Sequence, residues 1–145
     1  MLYNSETWIM TKTLEENIDA FHRRLLRIAI NKQYPKTISC EKLYTLTKET
    51  QISERIRKRR LTLLGHILRL HPDTPVQKAI HFYIIPHPRP VGRPPTTWIS
   101  LMTKDLEKTL KDHNISTPLT TTSLEQLKLL SADKVLWRKL VANSK

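Results

Sequence analysis

The sequence predicts an all-α protein: a small irregular bundle of about five to six helices with a Pro-rich, extended basic loop. Three observations lead there. Only two of the 145 residues are glycine and alternating apolar–polar runs are few, which leaves little support for sheet. Apolar residues recur three and four apart in most segments, the period of a helix with one buried face. Five of the nine prolines fall within residues 86–95, so most of what cannot be helical is gathered in one place. At this length a single domain with a modest core is expected.

In chain order, residues 1–10 are apolar and aromatic, like the end of a structural element. Thr13 and Glu16 form a capping box, and Leu14, Ile18, Phe21, Leu25 and Ile28 then follow at helical spacing, predicting a helix to about Asn31. Arg23, Arg24 and Arg27 give that helix a small basic patch. Ser39 caps a short helix, Glu41 to Thr47, carrying Leu43, Tyr44 and Leu46. Ser53 caps a longer one, from about Glu54 to Leu70, stopped by His71-Pro72-Asp73. Residues 75–84 are ambiguous, reading as a short helix that runs into an extended piece. After the Pro-rich segment, Thr96 or Thr97 caps a helix bearing Trp98, Leu101, Met102, Leu106 and Leu110. A Thr-rich linker spans 114–122. Ser123 with Gln126 then opens a helix with Leu124, Leu127 and Leu130, and Ser131 caps a last one with Val135, Leu136, Trp137 and Leu140.

The helix over about 54–70 organises the chain. Five cations in six residues, Arg55, Arg57, Lys58, Arg59 and Arg60, run directly into an aliphatic block. At about 100° per residue, Ile52, Ile56, Leu61, Leu63, Leu64, Ile67 and Leu68 share one half of the helix. The other half carries Arg55, Lys58, Arg59, Thr62, His66 and Arg69, with Gly65 among them. Arg57 and Arg60 lie on the apolar half and must snorkel or reach a partner. Gly65 has two readings of equal weight: close approach of a phosphate to the helix, or close packing of a second helix.

Charge points to the kind of partner. The net charge is +12, and the middle third is the most lopsided, with nine basic and two acidic side chains in residues 51–100. A concentrated basic region favours phosphate-bearing partners. One cysteine, Cys40, excludes an internal disulfide and a Cys-paired zinc site. No signal peptide or apolar run of membrane-spanning length, about 20 residues, is visible, so an intracellular protein, nuclear or cytoplasmic, is expected and no membrane partner. No phosphate-binding Gly loop, nucleophile–base set or paired metal-binding aspartates can be assembled, so the chain is expected to have no catalytic residues, no metal site and no cofactor. Arg89 and Arg93, in Arg89-Pro90-Val91-Gly92-Arg93-Pro94, are half of a minor-groove hook at best. Val91 stands where the first Arg would be, and a basic extended tether is the better reading.

Several segments together resemble one family. Tyr3-Asn4-Ser5-Glu6-Thr7-Trp8, the block from Arg59 to Arg69 with its Leu64-Gly65-His66, Gly92-Arg93-Pro94-Pro95-Thr96-Thr97-Trp98, and Trp137-Arg138-Lys139-Leu140-Val141 occur in that order. The chain is similar, over nearly its whole length, to the region downstream of the polymerase palm in endonuclease–reverse transcriptases of LINE-type (non-LTR) retrotransposons. The resemblance implies a segment leaving the palm at 1–10, a helical thumb-like module at 11–85, a Pro-rich basic linker at 86–95 and a C-terminal helical tail at 96–145. It also implies a thumb that grips template–primer duplex, while Mg²⁺-dependent chemistry belongs to an upstream Ala-Asp-Asp motif that this sequence lacks. Departures are Asn4 where Gly is usual, Thr62-Leu63 where Arg-Trp is usual, and Pro95-Thr96-Thr97 in place of basic residues. Met1 falls inside a family segment, so a truncated, non-catalytic copy is expected. Its partners would be RNA, DNA or a hybrid, held by the backbone, or the palm of an intact element. The expected contacts are Arg55, Arg57, Lys58, Arg59, Arg60, Thr62, His66 and Arg69, with Arg89 and Arg93 as a second contact. The alternatives are a protein-docking module or a non-functional translated relic.

Overall fold

A computed structural model describes residues 2–32, 34–36, 38–84, 92, 96–110 and 121–143, with the side chains of 83–84, 110 and 121–123 left aside. Arg89 and Arg93 therefore lie outside the described residues. The fold is all-α: seven helices, α1 (Lys12–Ala29), α2 (Cys40–Thr47), α3 (Ile52–Leu68), α4 (Pro75–Ile84), α5 (Trp98–Leu110), α6 (Thr121–Ala132) and α7 (Lys134–Asn143), with a 3₁₀ turn at Ser5–Thr7 and no strand among the described residues. The helix beyond the expected five to six is α4. Its ambiguous sequence is helical throughout, because Gln77 and Ile80, three apart, are both buried on one face. The Gln77 amide donates to the Ile67 carbonyl at 2.5 Å, a second donor beside the Leu70 N–H at 3.0 Å, and so ties α4 to the end of α3.

The chain forms two compact units, residues 10–56 and residues 1–9 with 57–145. In the first, α1 packs on α2, and Leu43, Ile52 and Ile56 are buried. Ser39 caps α2 as expected, its hydroxyl accepting from the Lys42 N–H. Elsewhere the caps shift. Thr11, not Thr13, caps α1 by accepting from the Leu14 N–H at 3.3 Å, because Thr11 still has extended backbone. Ser53 does not cap α3 with its own side chain. Its N–H and hydroxyl both donate to the buried Asp19 carboxylate of α1, at 3.0 and 2.6 Å.

That pair explains a second difference. The stripe Leu14, Phe21, Leu25 and Ile28, which periodicity assigns to the core, remains 41%, 48%, 40% and 49% exposed. Turning α1 to bury it would withdraw Asp19 from Ser53 and strand a carboxylate and an N–H, at a cost of about 1–3 kcal/mol for each unsatisfied group.

In the second unit, Leu61, Leu64, Ile67 and Leu68 of α3 meet Ile80, Met102, Leu106, Leu124, Leu127, Trp137 and Val141 in one apolar core. Each such side chain contributes about 1.5–3 kcal/mol when fully buried. Thr97 caps α5 reciprocally with Ser100: Ser100 N–H donates to Thr97 Oγ1, and Thr97 N–H to Ser100 Oγ. Of the expected linker 114–122, residues 114–120 lie outside the described residues, and 121–122 belong to α6, which begins at Thr121, ahead of the predicted cap Ser123. Ser131 likewise belongs to α6 and is buried there, its hydroxyl returned to the Lys128 carbonyl. Asp133 caps α7 instead, accepting from the N–H groups of Val135 and Leu136. The segment before α1 is stitched to this unit: Trp98 Nε1 donates to the Glu6 carbonyl at 2.8 Å, and Arg59 donates to the Leu2 carbonyl.

Candidate functional site

Helix α3 separates its residues as the sequence predicts: Ile56, Leu61, Leu64, Ile67 and Leu68 are buried, while Arg59, Thr62, His66 and Arg69 are exposed. The cations, however, are largely engaged by the protein itself. Arg55 pairs with Glu49 and donates from Nε to the Thr50 hydroxyl at 3.3 Å. Arg60, only 1% exposed, sets Nε 2.9 Å from Asp105 Oδ2 of α5, and Arg57 sets Nε 3.3 Å from the other oxygen. Two guanidiniums thus share one carboxylate, which holds α3 against α5. The partner required by Arg57 and Arg60 on the apolar half of α3 is this aspartate.

Lys58 and Arg69 bond to helix ends. Lys58 Nζ donates to the Ala142 carbonyl in the last turn of α7, and Arg69 Nη1 to the Ser131 carbonyl in the last turn of α6, at 3.1 and 3.0 Å. Both helix ends carry partial negative charge, which a cation offsets by about 0.3–1 kcal/mol. The Thr62 hydroxyl returns to the Lys58 carbonyl at 2.8 Å.

Gly65 resolves to close packing. A Cβ built there would lie 2.6 Å from Trp137 Cδ1, well inside contact distance. The indole of Trp137 rests on this bare stretch of helix, and its Nε1 donates to the Leu61 carbonyl at 3.1 Å. This close approach draws α7 down along α3.

Where α7 meets α3, a groove opens beside the indole. One part, about 470 Å³, is lined by Thr62, His66 and Arg69 on one wall and by Lys134, Trp137, Arg138, Val141 and Ala142 on the other. An adjoining part, about 700 Å³, shares His66, Arg69, Lys134 and Arg138, and adds Lys128 and Ala132 from α6. Among the described residues no carboxylate lines either part. The neighbouring Asp133 caps α7 through Oδ1. Lys134 and Arg138 have no hydrogen-bond or ion-pair partner among the described residues, and Lys128 Nζ is 3.5 Å from His81 Nε2. Of the predicted contacts, the structure gathers Thr62, His66 and Arg69 at this groove. Lys128, Lys134 and Arg138 were not singled out in the sequence; the signal was their i, i+4 spacing at 134 and 138 beside Trp137.

A second concavity in this unit is apolar, about 680 Å³, lined chiefly by Ile9, Leu63, Ile67, Val76, Ile80 and Trp98. Among the described residues, no three His, Cys, Asp or Glu side chains converge to hold a metal ion. No described helix is long and apolar enough to cross a membrane.

Comparison with known proteins gives one informative likeness. The chain is 24% identical, over 135 residues covering 90% of its length, to an uncharacterised transposon-derived protein of Caenorhabditis elegans. It spans 48% of that protein. A transposon origin fits this likeness. No family model matches the chain, and no solved structure matches it.

Proposed function

We propose that this chain is a transposon-derived, non-catalytic module that binds nucleic acid through the sugar–phosphate backbone, a remnant of the thumb and tail of a LINE-type reverse transcriptase. The observation that carries the reading is the groove between α3 and α6–α7, where Arg69, Lys128, Lys134 and Arg138 converge with His66 and no carboxylate among the described residues answers them. Cations arranged this way neutralise phosphates and release condensed counterions, giving affinity with little base selectivity. The order of its motifs and its likeness to a transposon-derived protein support the origin. Catalysis by a polymerase would fall to residues outside this sequence, and primer-extension assays with Mg²⁺ are expected to show no incorporation by this chain alone.

The test is a salt series with the purified protein and a labelled oligonucleotide. Four phosphate contacts give a log–log slope of about 3, or a loss of affinity of roughly fifty-fold between about 50 and 200 mM salt. A salt-insensitive isotherm contradicts the reading. Two observations favour the rival, a protein-docking module: the exposed stripe of α1 and the apolar concavity beside Trp98 are each surfaces of the kind that partners cover. That rival predicts saturable binding to a protein and weak, salt-insensitive binding to nucleic acid.

A further inference from the structure

We infer that the groove between α3 and α6–α7 takes one polynucleotide strand, held by its phosphates with the bases turned away, rather than a duplex; this rests on the nucleic-acid reading above. The cations stand on both walls of the groove. Arg69 and His66 belong to the α3 side and Lys134 and Arg138 to α7, with Lys128 of α6 extending the same side. A chain lying between the walls meets all of them. A duplex, whose wider phosphate edge presents a convex ridge, reaches only the rims.

The groove also has the size for one strand. The two adjoining parts, about 470 and 700 Å³, are in the range that encloses a drug-sized molecule, which accommodates a nucleotide or two of one strand. Spacing agrees with this. Lys134 and Arg138 are four apart on α7, and His66 and Arg69 three apart at the end of α3, so each wall offers neighbours about 5–6 Å apart along its length.

Single-strand binders usually add aromatic platforms on which bases stack, worth about 1–3 kcal/mol each. Here the aromatic in the groove is Trp137, which is 4% exposed, with its face against Gly65 and its Nε1 committed to Leu61. It has no open face to offer. The chemistry left is cation to phosphate, with Arg69 still holding N–H donors beyond the one given to Ser131. Recognition is therefore indifferent to sequence and to the presence of bases.

The experiment compares three labelled probes of about 10 nucleotides at one low salt concentration: a single strand, the same strand in a blunt duplex, and an abasic single strand. The expected result is equal affinity for the two single strands, at least about tenfold weaker affinity for the duplex, and a salt slope near 0.7 per phosphate rather than 0.9. Arg138→Glu, on an exposed position, reduces single-strand affinity at least about tenfold with unchanged helicity. Duplex binding as tight as single-strand binding overturns the inference while leaving the nucleic-acid reading in place. So does a loss of more than about tenfold on removing the bases, or full affinity in Arg138→Glu. Absence of binding to all three probes overturns both.

Discussion

The two ends of helix α3 carry the same kind of side chain to different ends. At the N-terminal end, Arg55, Arg57, Lys58, Arg59 and Arg60 form the densest positive run in the sequence, and each has a partner within the protein: Glu49 and Thr50, Asp105, the Ala142 carbonyl, the Leu2 carbonyl, and Asp105 again. At the C-terminal end the charge is sparser, yet His66 and Arg69 face a groove whose opposite wall adds Lys134 and Arg138. The number of cations in a run does not measure the positive charge on offer. A guanidinium locked to a buried carboxylate has been spent on the fold, whereas an isolated lysine across a groove remains available to a ligand.

The largest effect is expected at Asp105, which holds two cations of the N-terminal end. Asp105→Ala leaves Arg57 and the buried Arg60 without their counter-ion, and an unfolding free energy lower by about 3–5 kcal/mol is expected in urea titration. A loss under about 1 kcal/mol would show that these cations do not need the aspartate. Gly65→Ala sharpens the comparison from the groove side. The new methyl meets the Trp137 indole, an overpacking cost of about 1–3 kcal/mol against about 1 kcal/mol gained in helix propensity. The net effect expected is a lower melting temperature with changed Trp emission as α7 is pushed off α3. A stabilised protein would mean that the indole moves aside freely. Asp19→Ala removes the acceptor for Ser53 N–H and hydroxyl and should cost about 1–3 kcal/mol by thermal unfolding. The smallest effect belongs to Arg55→Ala. Its pair with Glu49 is open to water, so a change below about 1 kcal/mol is expected by the same method.

Much of the fold was legible because helical periodicity is a property of the sequence itself. The α3 face with Ile56, Leu61, Leu64, Ile67 and Leu68 buried follows directly from spacing. The caps were less legible. Thr11 and Thr13 are equivalent in composition, and the chain's exit from extended backbone decides between them. The α1 stripe shows the limit more sharply. Its apolar period is strong, but a single aspartate on another face makes a buried long-range bond, and no local pattern reveals that Asp19 meets Ser53. The site divides in the same way. Thr62, His66 and Arg69 could be placed on an exposed face from one helix alone. Lys134 and Arg138 could not, because their importance depends on the approach of α7, which Gly65 permits and the sequence leaves between two readings.

In the proposed function the groove, and not the arginine-rich head of α3, supplies the charge for binding. The direct measurement is the salt slope of oligonucleotide binding for Lys134→Ala/Arg138→Ala beside Arg55→Ala/Arg59→Ala. Each double variant removes two cations. The account predicts a slope lower by about 1.4 for the groove variant on a single strand and a nearly unchanged slope for the head variant. A head variant that flattens the slope while the groove variant does not would contradict it.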